Sequence, residues 1–447
     1  MKRGFYTIMA AQFLSSLADN ALLIAAMALL IELQSPAWMI PLLKLFFTVS
    51  YVVLAPLVGA FADSRPKGQV MLLTNAIKIV GCLMLFWTVH PLLAYAVVGF
   101  GAAAYSPAKY GILTELLPPE KLVVANGWIE GTTVLSIILG TLLGGALIGP
   151  RLADHLLTID IPRIDTGVDT PAEAAIAAIA VIYLLAGLFN MRIPDTGVRY
   201  PNQHLDPMRL VGDFWRCNVA LWRDKLGQVA LAVTTLFWGV GATLQFIVLK
   251  WAQEQLNLRL DQAALLQGIV AVGVAIGAVV AAGSVPLKRS LRVLVAGVLM
   301  GLMVPIITLI HQQEFAWAML VVIGCLAGFF VVPMNALLQH RGYVLMSAGH
   351  SIAVQNFNEN LNILVMLGVY SVLLKIDMSI NSITLIFGAT ITLVMVAVIA
   401  RHRANQLVFD SEALIGEPAP ARIAQPAHAS TLTDDVDDEP VAQHGKP

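Results

Sequence analysis

The sequence predicts an all-α polytopic membrane protein with twelve transmembrane helices in two six-helix halves. Three observations predict it. Of its 447 residues 58% are hydrophobic and only 12% charged, about half the roughly 25% typical of a soluble domain. The apolar residues fall in runs of about 20, the length an α-helix needs to cross the hydrocarbon core. Lysines and arginines gather in alternate loops, as they do where loops face the cytoplasm. A net charge of -1 with no basic stripe gives no reason to expect nucleic-acid binding.

The first six runs lie near 7–33, 38–61, 70–89, 92–114, 124–149 and 174–193. The second six lie near 228–250, 263–286, 293–311, 315–338, 351–375 and 381–400. The start, MKRGFYTIMAAQFL, has the basic end and apolar run of a signal peptide. Asp19 and Asn20 interrupt that run, however, and no Ala-x-Ala cleavage site follows, so it reads as the first span. Most basic residues, Lys2, Arg3, Arg65 and Lys67 among them, then fall on one side. This puts both termini on the cytoplasmic side.

The halves are therefore 1–193 and 228–403, joined by a cytoplasmic linker, 194–227. In the linker, Leu210, Val211, Phe214, Trp215, Leu221 and Trp222 recur at helical spacing opposite arginines, after the helix start Asp206-Pro207. Such a helix either lies on the anionic inner leaflet or packs on the bundle. The tail 404–447, rich in Pro and Ala and then acidic, is expected to be disordered. Cys82, Cys217 and Cys325 show neither pairing nor metal-site spacing. No cofactor or metal is expected, and the expected state is a monomer.

Weak internal repeats support two related halves. YSPAKYGIL in the fourth span has a partner in FVVPMNALL in the tenth, aligning Pro107 with Pro333, and the same offset carries Asp19 to Gln245. Glu130 in the fifth span finds a near counterpart in Glu359 in the eleventh. Two six-helix halves with substrate held between them describe the major facilitator fold. GAFADSRPKG, from Gly59 to Gly68, resembles that superfamily's loop signature, although the spacing after Asp63 is irregular. GTLLGGALIGP, from Gly140 to Pro150, resembles the fifth-helix motif of some antiporters and equally suits close helix packing.

Longer stretches are more specific. AQFLSSLADNALL, GFGAAAYSPAKYGIL, KLVVANGWIE, LFWGVGATL, GFFVVPMNALLQHRG and AVQNFNEN resemble the bacterial lysophospholipid transporters, in matching order, to about residue 400. The resemblance implies movement of lysophosphatidylethanolamine and related lysolipids from outer to inner leaflet, with lipid bilayer as medium. It also implies a cytoplasmic acyltransferase/acyl-carrier-protein synthetase as functional partner. The superfamily resemblance points to Asp63 with Gly59 and Arg65 as a conformational latch. The family carries an arginine, able to pair with the first-span aspartate, where this chain has Gln245. A glutamine can hydrogen-bond Asp19 but cannot neutralise it, and Lys250 is a possible replacement.

Charges inside spans are candidate functional groups. Asp19 with Asn20, Lys109, Glu130, Gln245 and Glu359 make the expected substrate site: a cation for the phosphate and carboxylates for an ammonium. Each also has a structural reading. Asp19 can serve as an interhelical hydrogen-bonder, and Lys109 can snorkel or pair with Asp19 or Glu130. Pro107 and Pro333 are expected to break their helices. Asn356, Asn358, Asn360 and Asn362 are expected to face water or head group, and Lys78 with Asn75 forms a further polar point.

Two other function classes compete. A proton-coupled major facilitator exporter of drugs or small amphipathic metabolites would use Asp19, Glu130 and Glu359 as proton carriers. An acyltransferase is suggested only by His155 and Asp160 in HLLTID, in a predicted periplasmic loop without companion motifs; the chain is not expected to be an enzyme.

Overall fold

The computed structural model describes residues 3–36, 39–87, 89–149, 152, 170–200, 206–258 and 260–417. Among them, eleven helices are long and apolar enough to cross a membrane, or twelve when a bent pair counts as one span. The first half comprises α1 (Arg3–Glu32), α2 (Met39–Val53), α3 (Ala55–Asp63), α4 (Lys67–Phe86), α5 (Pro91–Leu116), α6 (Leu122–Ile148) and α7 (Pro171–Met191). The linker helix α8 (Pro207–Arg223) follows. The second half comprises α9 (Gly227–Gln255), α10 (Leu260–Ser284), α11 (Leu294–Ile306), α12 (Gln313–Leu345), α13 (Ala348–Lys375) and α14 (Ile380–Val408).

The second span is the bent pair, α2 and α3 meeting at 64°. Pro56 at the start of α3 explains the bend, because its ring has no N–H and clashes with the turn before it. The expected breaks at Pro107 and Pro333 are corrected: α5 and α12 continue as unbroken helices through them. Both prolines are buried. One missing hydrogen bond inside a helix clamped on several sides costs less than unpacking it. The tenth span also runs beyond its expected end to Leu345, since Gln339, His340 and Arg341 are buried there with partners.

In the first half α1 packs on α6 and α7, and α4 on α5 and α7; in the second α10 packs on α12, α11 on α14 and α9 on α13. Without a hydrophobic driving force in lipid, close approach supplies the packing energy. A Cβ on Gly277 would lie 2.0 Å from the Cys325 carbonyl oxygen, and one on Gly328 2.1 Å from that of Val274. Gly140 and Gly144 press in the same way on Leu17 and Ala21 of α1, which favours the packing reading of GTLLGGALIGP.

Gly4 packs against Pro194, and Asn405 Nδ2 donates to the Lys225 carbonyl at 3.1 Å. Both ends of the described chain therefore lie on the side of the linker. The disorder expected from 404 is corrected for 404–417. There α14 continues to Val408, a 3-10 turn forms at Ser411–Leu414, Gly416 N donates to His340 Nε2 at 2.9 Å, and Glu417 pairs with Arg341 at 3.1 Å. Composition suggested a solvated tail, but these residues find buried partners on α12. His155 to Asp160 lie outside the described residues, as does the acidic end of the tail.

Candidate functional site

Asp19 lies past the midpoint of α1. Its Oδ2 is 2.7 Å from Lys78 Nζ of α4, and its Oδ1 accepts from the Tyr183 hydroxyl of α7 at 2.7 Å. Lys78 also donates to Ser15 Oγ at 3.0 Å and stands over the Tyr105 ring at 4.9 Å. Asn75 completes the group, donating to the Tyr183 carbonyl and accepting from Ser15. The Lys78 side chain is 2% exposed and that of Asp19 17%, so the carboxylate keeps an open edge. A lone buried charge would cost several kcal/mol; the pair and its hydroxyl donors offset that cost.

This rearranges the expected site. Lys109 does not pair with Asp19: it is half-buried, its ammonium 4.3 Å over the Tyr110 ring, and makes no salt bridge among the described residues. Gln245 does not reach Asp19 either, but donates to Gln267 Oε1 of α10 at 2.7 Å. Lys250 pairs with Glu254 near the exposed end of α9. Asp19 is thus neutralised inside its own half by Lys78. Asn20 turns back to the Ser16 carbonyl at 2.8 Å, so it serves its own helix.

Glu130 and Glu359 belong to one buried chain. Asn335 Nδ2 of α12 donates to Glu130 Oε1 at 3.2 Å. Gln355 Nε2 of α13 donates to both Asn335 Oδ1 at 3.0 Å and Glu359 Oε1 at 2.8 Å. Gln355 Oε1 has no partner among the described residues. One turn closer to the linker side, Asn126 and Gln339 exchange two hydrogen bonds of 2.9 and 2.8 Å. Three of the four asparagines of α13 are corrected from water-facing to interhelical. Asn356 donates to Ser106, Asn358 to Asn218 and Asn362 to the Thr235 carbonyl, while Asn360 bonds within its own helix. Neighbours a few residues apart point in different directions around a helix, so a polar run in sequence does not make one polar face.

The residues expected to form a latch meet the second half, with a different cation. Asp63 accepts from Ser347 Oγ, from Gly349 N at 2.9 Å and from His350, whose Nδ1 lies at 2.9 Å, all at the start of α13. A carboxylate there meets the positive end of the helix dipole. Gly59 supports it by close approach to His350 and Ala353. The basic partner is Lys67 at 2.6 Å, also 3.4 Å from Glu115, whereas Arg65 is exposed with no ion pair among the described residues. The four-residue spacing of Asp63 and Lys67 was the available signal. Tyr200 of the linker caps this group, its ring 4.8 Å from Lys67 and its hydroxyl donating to Glu115 at 2.8 Å. Burial, with Glu115 beside it, pushes that phenol above its usual range.

The hydrogen bonds named above between the halves, Asn126–Gln339, Glu130–Asn335, Asp63–Gly349 and Ser106–Asn356, lie in the linker-side part of the bundle. The seam is hydrogen-bonded on that side.

The profile of the Major Facilitator Superfamily matches residues 8–361. The chain belongs to that superfamily. Among curated proteins it is 43% identical over 378 residues to the lysophospholipid transporter LplT of Yersinia enterocolitica, covering 84% of this chain and 88% of that one. It is 42% identical over 379 residues to the LplT of Yersinia pestis strain Pestoides F, with the same coverage. Solved structures agree in fold. The fucose transporter FucP in its outward conformation aligns with TM-score 0.67 at 15% identity, over 90% of this chain and 98% of that one. The human organic anion transporter MFSD10 aligns with TM-score 0.65 at 16% identity, over 91% of this chain and 100% of that one. This member of the superfamily thus places the Glu130–Asn335–Gln355–Glu359 chain across the seam of the two halves and the Asp19–Lys78 pair within the first.

Proposed function

We propose that the chain carries lysophospholipids, lysophosphatidylethanolamine among them, from the outer to the inner leaflet of a bacterial inner membrane. The observation that carries this reading is the 43% identity, over most of both chains, to a protein named for that substrate. The geometry supports it. The lysine and arginine bias makes the linker side cytoplasmic, and the hydrogen bonds that join the halves on that side suit a state closed to the cytoplasm. The open edge of Asp19 offers a carboxylate to the ammonium of a zwitterionic head group, and Lys109 adds a cation without a salt bridge of its own for the phosphate. A single acyl chain remains among the apolar side chains. Rocking of the halves then delivers the lipid inward, where a cytoplasmic acyltransferase re-acylates it. One chain contains the whole network, and a monomer suffices.

Uptake of labelled lysophosphatidylethanolamine by spheroplasts lacking their own lysolipid transporter tests this. Uptake that requires the chain supports the reading; none from a well-inserted protein overturns it. A second reading, proton-coupled export of small amphipathic molecules, is favoured by one observation: Glu130 and Glu359 are buried on an amide chain without a salt bridge. Proton-driven efflux of an amphipathic dye would then replace lysolipid uptake.

A further inference from the structure

The linker helix α8 divides into three faces. Leu210, Phe214, Asn218 and Leu221 are buried against the bundle. Met208, Val211 and Trp215 form an exposed stripe, 82%, 50% and 57% exposed. Arg209, Arg216 and Arg223 project from a third, exposed face. A linker helix beneath the bundle would set its apolar stripe in water. This one is not beneath it. Phe214 packs edge-on against Phe357 at 5.3 Å, Asn218 accepts from Asn358 at 2.8 Å, and the Trp222 indole donates to Asn358 at 3.1 Å. Asn358 is ten residues into α13, about 15 Å along it at 1.5 Å per residue. The helix therefore lies beside the eleventh span, level with its interior, and packs also on α3. Both spans expose apolar side chains outward, Leu57 on α3 and Leu361 on α13.

We propose that α8 is an interfacial anchor, its Met208–Val211–Trp215 stripe seated at the headgroup–acyl boundary of the linker-side leaflet and its arginines holding phosphates of that leaflet's anionic phospholipids. Aromatic and long apolar side chains beside arginines suit that boundary, where rings and guanidinium stems span wet and dry layers. Two arginines have acidic neighbours, Arg209 near Asp206 and Arg216 near Asp213. Exposed pairs of this kind are weak and readily exchanged for a lipid phosphate. Arg223 has no acidic partner among the described residues, and Lys225 and Arg401, the latter bonded to Gln228 at 2.9 Å, continue the positive rim. The anchor sits where α3 and α13 of opposite halves meet, so it ties the linker to the seam that must open. The proposal holds whichever substrate the protein carries.

The test uses the full chain, cysteine-free except for Val211→Cys carrying an environment-sensitive fluorophore, in phosphatidylcholine vesicles with or without phosphatidylglycerol. Strong quenching by shallow acyl-chain nitroxides, weak quenching by aqueous iodide, and several-fold preference for spin-labelled phosphatidylglycerol are expected. Arg209→Gln, Arg216→Gln and Arg223→Gln together should bring that preference to parity without lowering the unfolding temperature. Iodide quenching without lipid quenching would show a face open to water or to a soluble protein, and overturn the anchor. Equal quenching by both lipids in the parent chain would overturn the anionic recognition.

Discussion

Lys78 Nζ stands 2.7 Å from Asp19 Oδ2, a bond between the third and first spans of the same half, with the lysine almost wholly buried. It occupies the electrostatic role that the resemblance assigned to a cation from the opposite half. Asp19 is thus neutral as a pair before any substrate arrives, and the two halves are not held together through it.

Removal of one partner leaves the other buried and uncompensated, which costs about 3–5 kcal/mol. Lys78→Met is therefore expected to lower thermal stability sharply in detergent. The Lys78→Met, Asp19→Asn double variant should recover much of that loss, yet transport no lysolipid. A double variant as unstable as the single would show that the pair is not the unit.

Asp63 holds the start of α13 through donors from Ser347, Gly349 and His350. Hydrogen bonds to a charged group contribute about 1.5–3 kcal/mol each, so Asp63→Ala should shift the protein away from the state closed on the linker side. Spin labels at Leu33 and Ile376, both exposed at the far side, should report a shorter distance. Arg65→Gln, exposed and outside the latch, should leave that distance unchanged.

Gly127 faces Ala282 of α10, and a Cβ on it would lie 2.5 Å from that methyl group. Neither atom belongs to a flexible chain. Gly127→Val should wedge the fifth and eighth spans apart on the linker side, shortening the same far-side distance and slowing uptake. Gly131, where an added Cβ would meet nothing within 4 Å, should accept alanine with transport preserved.

Glu359→Gln keeps the size and one hydrogen-bond acceptor for Gln355 but removes the charge. If the charge acts on substrate, uptake should fall at least tenfold, about 1.4 kcal/mol, with unfolding temperature near the parental value. Asn360→Ala, whose amide bonds only its own helix, should transport normally. Equal uptake in Glu359→Gln and parent would reduce Glu359 to a packing residue.

Much of the fold was legible in the residues alone. Span number, the two halves, the linker helix and the first-span aspartate are properties of short windows: apolar runs, a helical spacing, a charge out of place. The site was legible only as a set of residue types. Asp19 and Asp63 stood out as charges, but the cations that meet them did not: Lys78 stood as a minor point and Lys67 behind the more familiar arginine pattern. Prolines 107 and 333 read as breaks because a local rule says so, and burial overrode it.

By itself, then, the sequence determined that this chain must live in lipid as twelve helices, since each helix satisfies its own backbone and needs only its own side chains to be apolar. The tertiary structure decided which charge meets which. Lys78 reaches Asp19 across 59 positions and Asn335 reaches Glu130 across 205. Partners so distant are selected by how helices rotate and cross, and that depends on packing over the whole bundle rather than on any one segment.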